Sequence, residues 1–535
     1  NIIMQSANLS GPAWNNGVYA LITVSSGGSI SNISVGDNDE IIEYGSEANI
    51  TIGGNGATNL PAGYSGGRVT NTYDALESPT ALARNDTVSS GAALMVSQGS
   101  ALDTTVTDGG IFVITSGMAS GVTITTSDSD AALASLQDAE ANFDGGTTSD
   151  VTAHYAYLHA HGASTTVTGV TIDSSGWLNV DSQGTVLSTT LTDGASATVS
   201  GSARLESGSA AGNGTSLTVS GATISDFQIS DSGTATVSSG GLLKQTILDT
   251  NASASVLSGG QTVSTTLSSS TSEEVASGGM ATATDLLSGA MLSIDVGAGF
   301  AADGTVVNSG AAFTVNSGVT AQNTTISRGG NVFVLSGGTV SATILASADT
   351  SSGQAYMDVE SGATAFDTQI NPGAIVYIES GAVDSDTIIG GSPSAVRALQ
   401  VMLGGTSYNL QVLEDGFLIA GQQGTAVELY NPTASGNQAT IYVDVHATEY
   451  GGVVKDGGKQ ILYGVVSGLT VSNGGVQNIL SVALVPTQAS AVGDIIDSGG
   501  QVLQDGGYVE NAVISSGGIL SQTSGIASQY GGVAI

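Results

Sequence analysis

One phrase, repeated with variations almost from end to end, constrains this chain more than any other property. Its clearest form is "TTISRGGNVFVLSGGTVSATIL", Thr324 to Leu345: a threonine-rich segment, a Gly pair, an apolar segment, a second Gly pair and another apolar segment. The preceding stretch "GTVVNSGAAFTVNSGVTAQ" aligns with it at an offset of nineteen, matching Gly310 to Gly329, Gly318 to Gly337, Val315 to Val334 and Val307 to Ile326. The same offset relates Gly259-Gly260 to Gly278-Gly279, Gly362 to Gly381 and Asp367 to Asp386, while Gly91 to Gly109 and Gly499 to Gly517 are eighteen apart. A near-fixed period over hundreds of residues is the mark of a solenoid.

The period within the unit selects which solenoid. In "GGNVFVLSGG", Val332 and Val334 alternate with Asn331, Phe333 and Leu335, and a period of two belongs to a strand. The segment "TVSATIL" alternates similarly and is rich in β-branched residues. No helical spacing of apolar residues spans a unit, which argues against helical and leucine-rich repeats. Short strands with Gly-rich corners, about nineteen residues per turn, fit an all-β fold, the coil of a parallel β-helix. Gly reaches positive φ at a corner without steric cost, and the preceding Ser or Asn (Ser258, Asn316-Ser317, Ser336) can hydrogen-bond the turning backbone. Stacked at about 4.8 Å, roughly 22–26 such coils predict a rod of about 100–125 Å.

The chain has 535 residues with 40% hydrophobic, so it holds the apolar material that flexible Gly/Ser linkers lack. Only 10% are charged, against about 25% in ordinary domains. The net charge of −37, from 45 acidic and 8 basic residues, repels nucleic acid and anionic lipid. Divalent cations could screen or bridge such a surface. There is no Cys, which removes disulfides and thiolate metal sites. No uninterrupted apolar run is long enough to span a bilayer, which takes about 20 residues, so no membrane insertion is expected of this segment. The opening "NIIMQSANLS" lacks a basic stretch followed by an apolar one, so any signal peptide has been removed or was never there.

The repeat breaks in three places and so sets the expected organisation. Residues 1–84 read as a cap and first coils, with 53–84 as a loop insertion; 85–390 read as coils. Within them, 126–150 is an acidic excursion with a helix-like centre at 131–143. Residues 391–448 lose the Gly-pair phase and suggest longer strands, a bend or an inserted module. Coils resume over 449–535. Insertions in solenoids map to loops that often carry binding, or are tolerated decoration.

Candidate sites are few. The eight basic residues are scattered, and the paired acids (Asp128/Asp130, Glu273/Glu274, Asp384/Asp386) have no basic partner nearby in sequence, so no catalytic residue and no cofactor is assigned. "GYSGG" (Gly63 to Gly67) matches a nucleophile-elbow pattern without the strand and helix that give it meaning, and reads as loop. Lys459 follows a Gly pair, but Gln460 stands where a phosphate-binding loop needs Ser or Thr. In "HYAYLHAHG" (His154 to Gly162), Ala156 and Leu158 take the inward positions. Tyr155, Tyr157 and His159 are then expected to face outward, with His161 at the corner. His159 and His161 alone do not fill a metal shell. An exposed Tyr/Tyr/His stripe suits sugar or protein contact, or is ordinary surface. Phe313 and Phe333, with Asn331, are read the same way.

The unit "T-x-V-x-x-G-G-x-x-x-V-x-S-G-G-x-A/V" resembles the repeat of the self-associating autotransporter adhesins of Gram-negative bacteria, the AIDA-I, antigen 43 and TibA group. "DTTVTDGGIFVITSGMAS", "NTTISRGGNVFVLSGGTVS", "STTLSSSTSEEVASGGMAT", "GGKQILYGVVSGLTVSNGG" and "ISSGGILSQTSG" carry the resemblance, which covers roughly 85–125, 151–390 and 449–535. It implies a right-handed parallel β-helix passenger, exported through the outer membrane and displayed on the cell surface, where it mediates autoaggregation, biofilm formation and attachment to host or matrix glycans. Some members are O-heptosylated on repeat serines. The matching corner positions here are Ser116, Ser309, Ser317 and Ser336. The family's translocator barrel is not among these residues, which end "SQYGGVAI" in coil-like sequence, as expected of a processed passenger or a truncated chain. The preferred expectation is therefore a non-catalytic adhesin whose rods pair laterally with copies of themselves. A fibre protein stacking end to end and a carbohydrate-active or carbohydrate-binding β-helix are the alternatives.

Overall fold

A computed structural model describes residues 3–4, 7–9, 21–24, 29–35, 40–43, 46–48, 50–53, 73–89, 92–127, 139–295, 299–346, 353–391, 396–422, 424–481 and 488–530. The fold is an all-β parallel solenoid of about 22 turns with coils of about 19 residues, and no helix occurs among the described residues. The chain divides into two compact units, Asn1–Thr265 and Thr266–Ile535.

Over 147–238 a coil pairs one five-residue strand with one of seven or eight. Tyr157–His161 is followed by Thr166–Asp173, and Trp177–Asp181 by Thr185–Leu191. Each strand pairs in parallel with its equivalent one coil on. From Leu242 to Ile496 the long strand is broken in two, as in the coil of Asn331–Val334, Thr339–Ser341 and Ile344–Leu345. The break falls at a third corner, which the Gly pairs do not announce. It is made by residues at left-handed φ that are mostly not Gly: Asn323 (53°), Ala342 (49°), Asp367 (52°) and Asp386 (56°). Asn and Asp tolerate this conformation because their side chains bond locally. The next residue in each case, Thr324, Thr343, Thr368 or Thr387, turns inward and is buried. The threonine-rich opening of the repeat is thus a corner with an inward threonine.

Val332 and Val334 are fully buried, in register with Met357 and Val359 on the next coil. The Gly corners behave as their sequence suggests. Gly337 has φ +79°, its N–H donates to the Gly362 carbonyl at 3.0 Å, and an added Cβ would sit 2.5 Å from Ser317 Oγ. The corner serine of one coil therefore lies against the corner glycine of the next.

Three expectations change. Tyr73–Leu76 and Leu82–Arg84, inside the expected loop 53–84, are strands paired with Ala93–Val96 and Ser100–Leu102. They are too short to display a readable alternation, and Pro79 lies between them. Of the helix-like stretch 131–143, residues 131–138 lie outside the described residues, and Glu140–Phe143 is a strand between Ile111–Ile114 and Tyr157–Ala160. Its neighbours, not its local pattern, decide its state. Finally, the ladder runs through the described part of 391–448, where Ala398–Met402, Gly416–Ala420 and Thr440–Val443 stack in parallel. Their spacing is uneven: Gly416 stands eighteen positions after its partner Ala398, and Thr440 stands twenty-three after Phe417. A varying coil length, rather than a lost strand pattern, hides the period there.

The interior also changes in this stretch. Buried Asp384 accepts from Thr387 Oγ1 at 2.5 Å, Gln400 Nε2 at 2.9 Å and Ser407 Oγ at 2.9 Å. Further on, Gln460 Nε2 donates to Glu449 at 2.7 Å, and Gln477 Nε2 lies 3.0 Å from both Gln460 Oε1 and Asp494 Oδ2. Burial pushes the Glu449 and Asp494 carboxyls up, Asp494 to about 6 against the hydrogen bonds it accepts.

Candidate functional surface

Strands 157–161 and 177–181 build the most chemically distinct outward patch among the described residues. Leu158 and Ala160 point into the core, so period-two alternation sends Tyr157, His159 and His161 outward together. Tyr155 does not join them: it occupies the preceding turn at φ 47°. His161, expected at a corner, ends the strand and completes the stripe.

The next coil supplies what the sequence reading missed. Trp177 pairs with Tyr157, Asn179 with His159 and Asp181 with His161. The Tyr157 and Trp177 rings meet edge-on at 5.3 Å, and Tyr157, His159 and His161 follow one another at 6.2 and 5.6 Å. Asp181 Oδ2 lies 3.1 Å from His159 Nε2, and Oδ1 lies 2.5 Å from His161 Nδ1. The three ligand atoms lie within 4.8 Å of one another. Burial raises the Asp181 carboxyl, but hydrogen bonds from His161 and His159 outweigh it and hold the group below its usual range. Burial also raises the Tyr157 phenol. His154 makes a separate pair with Asp173 at 2.6 Å. The available signal was the length of this one coil. Asp181 stands twenty positions after His161, whereas an offset of nineteen would set His161 against Val180, which points inward.

Beyond the patch the same face becomes a grid of hydroxyls. Ser196, Thr198 and Ser200 pair in register with Ser216, Thr218 and Ser220, and these with Thr234, Thr236 and Ser238. Inward neighbours Ala197, Val199, Leu217, Val219, Ala235 and Val237 are buried, leaving nine uncharged hydroxyl residues on the outer side. Trp177 Nε1 donates to Thr198 Oγ1 at 3.4 Å and joins patch to grid.

In the second unit Phe313 is fully buried and in register with Val332, so it is no surface contact. Aligning it with Phe333 is off by one residue, and one residue reverses the face of a strand. Phe333 does point outward, beside Tyr356 at 6.1 Å, which in turn meets Tyr377 at 5.7 Å. Burial and the Asp358 carboxylate raise the Tyr356 phenol to about 12. Asn331 is outward and half-buried, its amide 3.4 Å from the Ala311 carbonyl. Ser116, Ser309, Ser317 and Ser336 are all exposed at corners. The "GYSGG" stretch lies outside the described residues. A second aromatic ladder escaped the sequence reading: Tyr408, Tyr430 and Tyr450 stack at 5.0 Å per step, each in register with the next. Outward acids are commonly met by neutral donors of the next coil, as in Asn323 to Asp303 at 2.7 Å and Ser515 to Asp497 at 2.7 Å.

No curated protein matches the chain significantly. Among solved structures, a TibC-catalysed hyper-glycosylated fragment of TibA is 21% identical over 69% of this chain and 100% of its own, with a TM-score of 0.35. The PL6 family alginate lyase AlyGC is 7% identical over 95% and 97% of the two chains, with a TM-score of 0.17. The A-module of the Azotobacter vinelandii mannuronan C-5 epimerase AlgE4 is 11% identical over 82% and 86%, with a TM-score of 0.12. Superposition at these levels carries no functional argument. Residues 294–349 match the family model described as adhesin of bacterial autotransporter system, probable stalk, and over those residues the chain is similar to that family.

Proposed function

We propose that this chain is a non-catalytic adhesin passenger, displayed on a bacterial surface, that associates laterally with copies of itself. The observation that carries the reading is the hydroxyl grid of 196–238. Three columns of Ser and Thr repeat at strand spacing on a face with no formal charge. Each hydroxyl both donates and accepts, so two such faces can pair without a fixed complement of charge. Individually weak bonds add because every coil repeats them. The matched stalk repeat at 294–349 supports the class of protein, and the corner serines remain the positions proposed for O-glycosylation.

The net charge of −37 opposes close approach, and salt screens it over about 8 Å at physiological strength. Association followed by light scattering across ionic strength is therefore expected to strengthen as salt or divalent ion rises. A Thr218→Glu/Thr236→Glu variant places like charges on the grid and is expected to raise the concentration needed for association at least tenfold, whereas Thr218→Asn/Thr236→Asn retains it. Association that declines steadily with salt, or that ignores the Glu pair while far-UV dichroism shows an intact fold, overturns the reading.

A further inference from the structure

We propose that His159, His161 and Asp181 form a binding site for a transition-metal ion of the zinc type, separate from the adhesion reading above. Two observations meet here. Strand alternation places two imidazoles two residues apart on one outward face, and coil stacking sets a carboxylate directly beside the second. A pair of histidines in one strand is common surface; a carboxylate delivered between them by the adjacent coil makes a convergent three-donor set.

The distances suit the ion. Zinc binds imidazole nitrogen at about 2.0–2.1 Å and carboxylate oxygen at about 2.0–2.2 Å, which separates tetrahedral ligands by roughly 3.3 Å. The 3.1 Å between His159 Nε2 and Asp181 Oδ2 is already close to that, and the 2.5 Å between His161 Nδ1 and Oδ1 needs a small side-chain rotation. Without metal, each ring donates an N–H to the same carboxylate. On loading, each neutral ring changes tautomer: its one proton moves to the opposite nitrogen, and the nitrogen facing Asp181 offers its lone pair to the ion. Two nitrogen donors of three favour Zn2+, Co2+, Ni2+ or Cu2+ over Ca2+ and Mg2+, which prefer all-oxygen shells.

The site is supported and reachable. Tyr157 packs along His159, Trp177 packs along Tyr157, and the side chains of His159, His161 and Asp181 retain 13%, 39% and 26% of their exposure. Three protein ligands leave one tetrahedral position facing solvent, for water or an incoming donor.

Tag-free full chain titrated with Zn2+ by calorimetry, and with Co2+ by visible absorption, tests this. One Zn2+ per chain is expected, with a Co2+ spectrum of four-coordinate intensity. Binding should weaken at least tenfold in His159→Gln, His161→Gln and Asp181→Asn, and stay unchanged in His154→Gln, which removes a histidine from the other pair. All four positions face outward, so dichroism should match the parent chain; His161→Cys, which keeps a donor atom, should retain the ion. Zn2+ binding that is equal in parent and Asp181→Asn, or a parent chain that takes up Ca2+ but no Zn2+, overturns the site.

Discussion

Between Val306 and Leu345 the interior is lined by Val307, Phe313, Val315, Ile326, Val332, Val334 and Leu345, with Thr324 and Thr343 at the corners, whereas between Asp384 and Asp494 it also holds the amides of Gln400, Gln460 and Gln477 and the carboxyls of Asp384, Glu449 and Asp494. The backbone ladder is the same in both stretches. In the first, Val306, Thr325 and Ile344 follow one another at a constant offset of nineteen, and apolar side chains stack on their own equivalents. In the second, the offset is twenty-three from Phe417 to Thr440, nineteen from Thr440 to Lys459 and seventeen from Lys459 to Val476. An apolar stack is indifferent to which neighbour it meets, but an amide facing a carboxyl is not. Where coil length varies, Ser407 bonds to its register partner Asp384 and Gln477 to its register partner Gln460 from one coil to the next, while Gln460–Glu449 and Gln477–Asp494 tie together two walls of a coil. The cost is carboxyls held in the core, Asp384, Glu449 and Asp494 among them.

The largest effect should come from breaking the apolar stretch. Phe313→Ala opens a cavity in the regular coils and is expected to cost about 3–5 kcal/mol in denaturant unfolding. Phe333→Ala, on the outer face of the adjacent coil, should cost about 0.5–1.5 kcal/mol, the worth of its aromatic contact. Equal losses would contradict the assigned faces.

The polar stretch should carry a pH dependence that the apolar one lacks. Asp494 has a folded value of about 6, above its ordinary 3.8, so the folded state binds the extra proton. Its contribution is then fully present below about pH 4 and is lost as pH rises through 6, a change on the order of 2–3 kcal/mol. Glu449, raised for the same reason of burial, acts in the same direction. Asp494→Asn should flatten the unfolding midpoint between pH 4 and 7. A stability that rises over that range in the parent chain would reverse the argument.

Finer resolution comes from the pair itself. Gln460→Leu leaves the Glu449 oxygen without its donor and is expected to cost about 1–3 kcal/mol. Glu449→Leu combined with Gln460→Leu should recover most of that loss, since a well-packed apolar pair replaces a buried polar one at little cost. If the coupling energy is zero, the pair does not hold the two walls of its coil together.

Much of this fold was legible. Period nineteen, alternation at two and glycines at the corners determined a parallel β-solenoid by themselves, because these depend only on local backbone preference and on which side chains shun water. The corner serines were legible too. What only the tertiary structure decided is which residues meet across coils. A strand reverses its face with every residue, so an uncertainty of one in coil length exchanges inside for outside. That single residue sent Phe313 into the core, and one coil longer by a residue brought Asp181 to His159 and His161. Uneven coils likewise aligned Tyr408, Tyr430 and Tyr450, and set Gln477 against Gln460. Periodicity sets the kind of ladder; the length of each individual coil, fixed by corners packing on their neighbours, sets who stands on whose rung.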